Sequence, residues 1–159
     1  MKKVIIHFSV LLFMLFVRFP SVYAGWHEGG AAYQRGDYET AFKEFKPLAE
    51  QGNIWAQYYV GQMYIMGQGI PKDYAEAFKW YKKAAQHGYS LAQGVLGWMY
   101  LEGDGVPRDH IISYMWLNLA AAQGNEGAIT YRSILEEEMT PEQITQAQRL
   151  SREFKVKSP

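Results

Sequence analysis

The chain has 159 residues, enough for one domain, and 48% of them are apolar and 16% aromatic, which excludes a disordered chain. Basic and acidic residues balance at 16 each, so no basic footprint points to nucleic acid. There is no cysteine, which excludes disulfides, thiolate metal sites, a cysteine nucleophile and a lipid-modified cysteine, without fixing the compartment.

Lys2 and Lys3 make a basic start, and Val4 to Val17 are apolar except for His7 and Ser9. Pro20, Ser21 and Val22-Tyr23-Ala24 follow. This layout predicts a secretory signal peptide over residues 1–24, cleaved after Ala24, and hence a periplasmic or secreted protein. The apolar run is shorter than the ~20 residues a spanning helix needs, and the alternative is an uncleaved anchor. No other segment approaches membrane-spanning length, so no membrane insertion is expected after cleavage. Cleavage removes Lys2, Lys3 and Arg18 and no acid, leaving a net charge of about −3.

The rest of the chain repeats itself. Residues 56–91 and 92–127 superpose at a shift of 36 with 13 identities, among them Gly61/Gly97, Asp73/Asp109 and Trp80/Trp116. Unrelated segments would share roughly two. A period of this length predicts stacked supersecondary units, not a closed domain around a buried active site.

The first unit, residues 26–53, matches the next at a shift of 36 from Asp37 onward, through Phe42/Phe78, Ala49/Ala85 and Gly52/Gly88. Upstream, Gly30/Gly61, Tyr33/Tyr64 and Gly36/Gly67 match at a shift of 31, so this unit is a helix hairpin with a tight turn. Pro47 is expected to kink its second helix, because it lacks an N–H donor. In the second unit, residues 54–89, Ala56, Val60, Gly61, Met63 and Tyr64 form one face of a helix. Gly67-Gln68-Gly69-Ile70-Pro71 ends it, and Asp73 is placed as the next N-cap. Ala77, Phe78, Tyr81, Ala84 and Ala85 form the buried stripe of the second helix. Gly61 and Gly97 are expected to admit a facing helix, since glycine within a helix otherwise costs about 1 kcal/mol. The third unit covers residues 90–125. A C-terminal capping pair over residues 126–154 follows, its last helix started by Thr140-Pro141-Glu142-Gln143. Residues 155–159 read as a frayed tail. The prediction is an all-α chain of eight helices in about four antiparallel pairs.

Ala56, Gly61, Tyr64, Gly67, Gly69, Asp73, Ala77, Trp80, Tyr81, Ala84, Ala85 and Gly88 together resemble the unit of the Sel-one-like repeat family, relatives of the tetratricopeptide repeats. Val60 and Ile70 stand where the family prefers Leu and Val. The third unit departs further, with His110-Ile111-Ile112-Ser113 in place of Tyr-Ala-x-Ala and Leu117 in place of Tyr. The resemblance covers residues 26–154 and implies an α-α superhelix, a tetratricopeptide-like solenoid with a concave face lined by the first helices of the pairs. It also implies an adaptor that holds other proteins or peptides. Aligning Gly61 and Gly97 with the tetratricopeptide glycine puts Trp55, Tyr58, Gln62, Ile65, Trp98, Leu101 and Glu102 on that face. His27, Gln34, Thr130, Ile134 and Glu137 are its outer edges. Tyr58 and Trp98 are the candidate apolar anchors, with Gln62 and Glu102 setting polar register. The same helical spacing also fits these aromatics as core between pairs.

Other motifs point nowhere sharper. The Gly67-Gln68-Gly69 and Gly103-Asp104-Gly105 loops follow no strand and lack the Lys-Ser/Thr of a phosphate loop. His27, His87 and His110 lie in different units without zinc-site spacing. Glu136-Glu137-Glu138 reads as a solvated run, with a calcium or basic-peptide site as the alternative. Ser90, Ser113 and Ser133 have no base nearby, and no Gly-x-Ser-x-Gly or Ser-x-x-Lys occurs. The expectation is a monomeric binding scaffold of the bacterial envelope, with an unknown protein or peptide partner, no cofactor and no reaction. The alternative is an envelope hydrolase acting on a β-lactam or a peptidoglycan-derived substrate.

Overall fold

A computed structural model describes residues 24–157. The predicted signal peptide, apart from Ala24, lies outside the described residues, as do residues 158 and 159. Among the described residues there are eight helices and no strand. They are α1 (residues 24–34), α2 (Tyr38–Glu50), α3 (Ile54–Met66), α4 (Tyr74–Gln86), α5 (Ser90–Glu102), α6 (His110–Ala121), α7 (Glu126–Glu138) and α8 (Pro141–Glu153). The fold is the all-α helical repeat solenoid that the sequence predicts.

The sequence sets most helix starts through short polar caps. The carboxylates of Asp37, Asp73 and Asp109 accept from backbone N–H groups of α2, α4 and α6, and the amide oxygens of Asn53 and Asn125 do so for α3 and α7. Thr140 and Gln143 close a reciprocal capping box on α8. The exception is α5, where Tyr89 stands at the N-cap and supplies no such bond. Pro47 does not break α2, which runs through it as a single helix to Glu50.

The period recurs in the packing. In each of the first three pairs a glycine on the first helix closely faces a large side chain on the second. A Cβ on Gly61 would stand 3.0 Å from the Tyr81 ring, and one on Gly97 would stand 2.6 Å from Leu117 Cγ. In the first pair this glycine is Gly29, whose Cβ would meet Phe45 at 2.7 Å, whereas Gly30 faces open space. The sequence match of Gly30 with Gly61 is therefore off by one residue in the packing. Phe45, Tyr81 and Leu117 keep the shift of 36, and α1 slips against it because its turn is shorter.

Two departures of the third unit acquire reasons here. Ser113, in place of a small apolar residue, is fully buried and donates to the Gly97 carbonyl at 2.7 Å. Leu117, in place of Tyr, fits the closer approach at Gly97. In α4 the buried stripe includes Trp80, while Phe78 is half-buried and meets Tyr100 edge-on.

Buried amides tie one unit to the next. Gln57 Nε2 donates to the Ala49 carbonyl and Gln93 Nε2 to the Ala85 carbonyl, both at 3.1 Å, again 36 residues apart. Gln93 Oε1 also accepts from Gln123 Nε2 at 2.8 Å, while Gln57 Oε1 is buried without a partner among the described residues.

The C-terminal end differs from the expectation. The main packing partner of α8 is α6, not α7. Ser151 Oγ donates to the Met115 carbonyl at 3.3 Å, and the Phe154 ring meets Trp116 at 5.1 Å. The segment beyond α8 is not frayed over its described part. Lys157 N–H donates to the Gln86 carbonyl at 2.8 Å, its Nζ to Gln86 Oε1 at 2.9 Å, and its carbonyl lies 3.0 Å from His87 Nδ1. Val156 covers Gly88. The cause is the Phe154 anchor, which delivers the chain to the end of α4.

Candidate binding groove on the first helices

The sequence of α3, IWAQYYVGQMYIM, contains no charged residue, yet only Ala56, Gln57, Val60, Gly61 and Met63 of it are buried. An apolar helix in a stack of helices would ordinarily be covered on all sides. The uncovered side of α3 continues onto α5, whose one charged residue is Glu102 at its end, and onto α7.

Along these three helices runs an open groove of about 390 Å³. Its floor is made by Tyr58 and Ile65 of α3, Val95 and Trp98 of α5 and the Tyr81 ring of α4. Its walls are Met66, Leu91 and Tyr131, exposed by 62%, 45% and 39%. Gln62 and the cap residue Asn125 supply the polar groups. Gly94 stands one period after Tyr58, and the missing side chain opens the floor.

Four of the seven residues placed on the concave face by sequence therefore line one groove: Tyr58, Gln62, Ile65 and Trp98. Three do not. Leu101 is buried at 8% among Tyr114, Leu117 and Leu135, because α6 and α7 close over the end of α5. Glu102 is exposed beyond the groove. Trp55, 57% exposed, stands beside Trp26 with ring centroids 6.4 Å apart. Near it lies a separate depression of about 380 Å³ between Trp26, Tyr33, Phe45 and Tyr59, whose rim includes His27 and Gln34. Thr130, Ile134 and Glu137 are exposed on α7.

The sequence reading missed Met66, Leu91, Val95 and Tyr131. The register itself carried the signal, since Leu91 is Trp55 plus 36 and Val95 and Tyr131 are Tyr59 plus one and two periods.

The groove floor is an aromatic chain. Tyr58 meets Tyr59, Tyr81 and Tyr89, all edge-on, with centroids 5.3 to 5.8 Å apart. Burial pushes the Tyr58, Tyr81 and Tyr89 phenols above their ordinary 10.0, so they remain neutral at physiological pH. The surface is thus uncharged and apolar with hydroxyl handles, the chemistry of a recognition surface rather than of acid–base work. Among the described residues no group of three or more His, Cys, Asp or Glu could hold a metal ion, and no helix is long and apolar enough to cross a membrane.

Comparison with known proteins agrees with this architecture. A family model of the Sel1 repeat matches residues 56–89 and 90–125. The crystal structure of a Sel1 repeat protein from Oxalobacter formigenes is 32% identical, with a TM-score of 0.65, over 76% of this chain and 96% of that one. The crystal structure of a protective antigen present in uropathogenic Escherichia coli strains, which displays an SLR fold, is 30% identical with a TM-score of 0.78. That match covers 84% of this chain, which spans only 29% of the antigen's length. No curated protein matches the sequence.

Proposed function

The chain belongs to the Sel1 repeat family, whose members are in general scaffolds for protein interaction, and from that premise we propose that it is an adaptor of the bacterial cell envelope. It holds a protein or peptide in the groove along α3, α5 and α7. One observation carries this reading: a charge-free lining stays uncovered across three successive first helices, with Met66, Leu91 and Tyr131 standing in solvent around Tyr58 and Trp98. A rigid stack presents these side chains preformed, so the ordering cost falls mainly on the partner segment.

A photo-activated cross-linking residue at Met66, compared with one at Lys79 on the opposite helices, tests the face used. A defined envelope protein captured from Met66 and absent from Lys79 supports the groove. The reverse pattern moves the site to the second helices and ends the groove assignment. The export part is tested by the mass of the chain recovered from the periplasm. A start at Gly25 supports cleavage after Ala24, whereas an intact chain in the membrane fraction supports the anchor.

A further inference from the structure

Resting on the groove reading above, we infer that the partner segment presents a large apolar side chain followed by lysine or arginine, and that Glu102, Glu137 and Glu138 select that basic flank. The repeat register sets the acids past one end of the groove, outside its lining. Met66, a groove wall, is followed at intervals of 36 by Glu102 and Glu138, so the three stand at the same level of successive first helices. On α5, Glu102 lies four residues after the groove-floor Trp98, one turn along the same face. On α7, Glu138 lies seven residues after Tyr131, two turns along.

These charges are unfavourable for the fold itself. Carboxylates in a last helical turn oppose the helix dipole, and neither α5 nor α7 has a basic residue of its own there, although Arg108 from the following loop donates to the Leu101 carbonyl beside Glu102 at 2.7 Å. The ion pairs among the described residues engage Glu50, Glu76, Glu136 and Glu153, and none engages Glu102, Glu137 or Glu138. The single arginine of α7, Arg132, is directed to Asn118 and Glu136. The lysines within the described helices are all on second helices instead, Lys43 and Lys46 on α2 and Lys79, Lys82 and Lys83 on α4. Three exposed carboxylates outside any ion pair among the described residues therefore stand one to two turns past the apolar groove. A basic, apolar-anchored peptide complements both features at once.

The test is selection of a displayed random-peptide library on the full chain, with selected peptides resynthesised for affinity measurement. Selected peptides should pair an aromatic or large aliphatic residue with Lys or Arg within a few positions. A combined Glu102→Gln, Glu137→Gln and Glu138→Gln variant should bind them roughly tenfold more weakly at low salt. That difference should vanish at about 1 M salt, where the screening length is about 3 Å. Gly94→Leu, which fills the floor, and the exposed pair Met66→Ser with Leu91→Ser should both abolish selection. Neutral or acidic selected peptides, or affinity unchanged in the glutamine variant, overturn the charge assignment and leave the groove. Selection that survives both groove variants overturns the groove reading and this inference together, as does the absence of any selected peptide.

Discussion

Tyr58 and Tyr89 meet edge to face, their ring centroids 5.3 Å apart at 87°. Tyr89 occupies the position where Asn53 and Asn125, 36 residues to either side, cap their helices with 2.9 Å bonds. The α5 start therefore lacks a cap and has instead a ring that holds the groove-floor tyrosine. Tyr89 is a positioning residue for the groove.

Replacing Tyr89 by Asn exchanges one contribution for the other. The new cap should add ~1 kcal/mol, and the lost aromatic contact should remove about 0.5–1.5 kcal/mol. Denaturant unfolding should show a net change within about 1 kcal/mol, while binding of groove-selected peptides weakens. A loss above ~2 kcal/mol in stability would show that Tyr89 serves chiefly as core.

The glycines should separate by what faces them. Gly97→Ala should destabilise by about 1–3 kcal/mol, because Leu117 stands too close for a Cβ. Gly61→Ala should cost less, against a tyrosine ring at 3.0 Å. Gly30→Ala, with nothing within 4 Å, should stabilise by up to about 1 kcal/mol through helix propensity alone. Thermal melts of the three variants give the order directly, and equal shifts would remove close approach as the reason for the glycines.

The buried amides should be unequal. Gln93→Ala strips a partner from both the Ala85 carbonyl and Gln123, whereas Gln57→Ala affects only the Ala49 carbonyl. The first should cost ~1 kcal/mol more than the second, each broken bond being worth about that much. Urea midpoints of the two single variants check it, and the opposite order would count against the amide ladder.

Stability should fall on the alkaline side. Burial, the largest cause at both Tyr58 and Tyr81, holds their folded-state phenols above the ordinary 10.0. Below pH 10 both folded and unfolded chains keep these protons and the contribution is complete. Above it the unfolded chain binds fewer, so stability declines as pH rises toward the folded values. Tyr81→Phe should flatten that decline in a series of melts between pH 8 and about 12. An unchanged slope would assign the decline to other groups.

Much of this was legible in the sequence because a repeat reports its own geometry. The caps at Asp73 and Asp109 and the close approaches at Gly61 and Gly97 are local consequences of residue type and could be read in place. Leu101 could not. It shares register with the groove residue Ile65, but the elements that follow α5 close over it. Periodicity assigns equivalent positions equal environments, and it fails where the array ends. The docking of Lys157 on Gln86 is of the same kind, since nothing in a short polar segment announces a contact 71 residues away.

That contact changes how the molecule should come apart. A stack in which each layer touches only its neighbours can lose layers one at a time from either end. Here the stretch from Phe154 to Lys157 reaches back past a whole helix pair to grip α4. The block from α5 to α8 is tied back to α4 by that contact, so loss of its layers is opposed at both of its ends. Under tension or heat the far half should let go in a single step, and the groove it helps to build should stay whole until then.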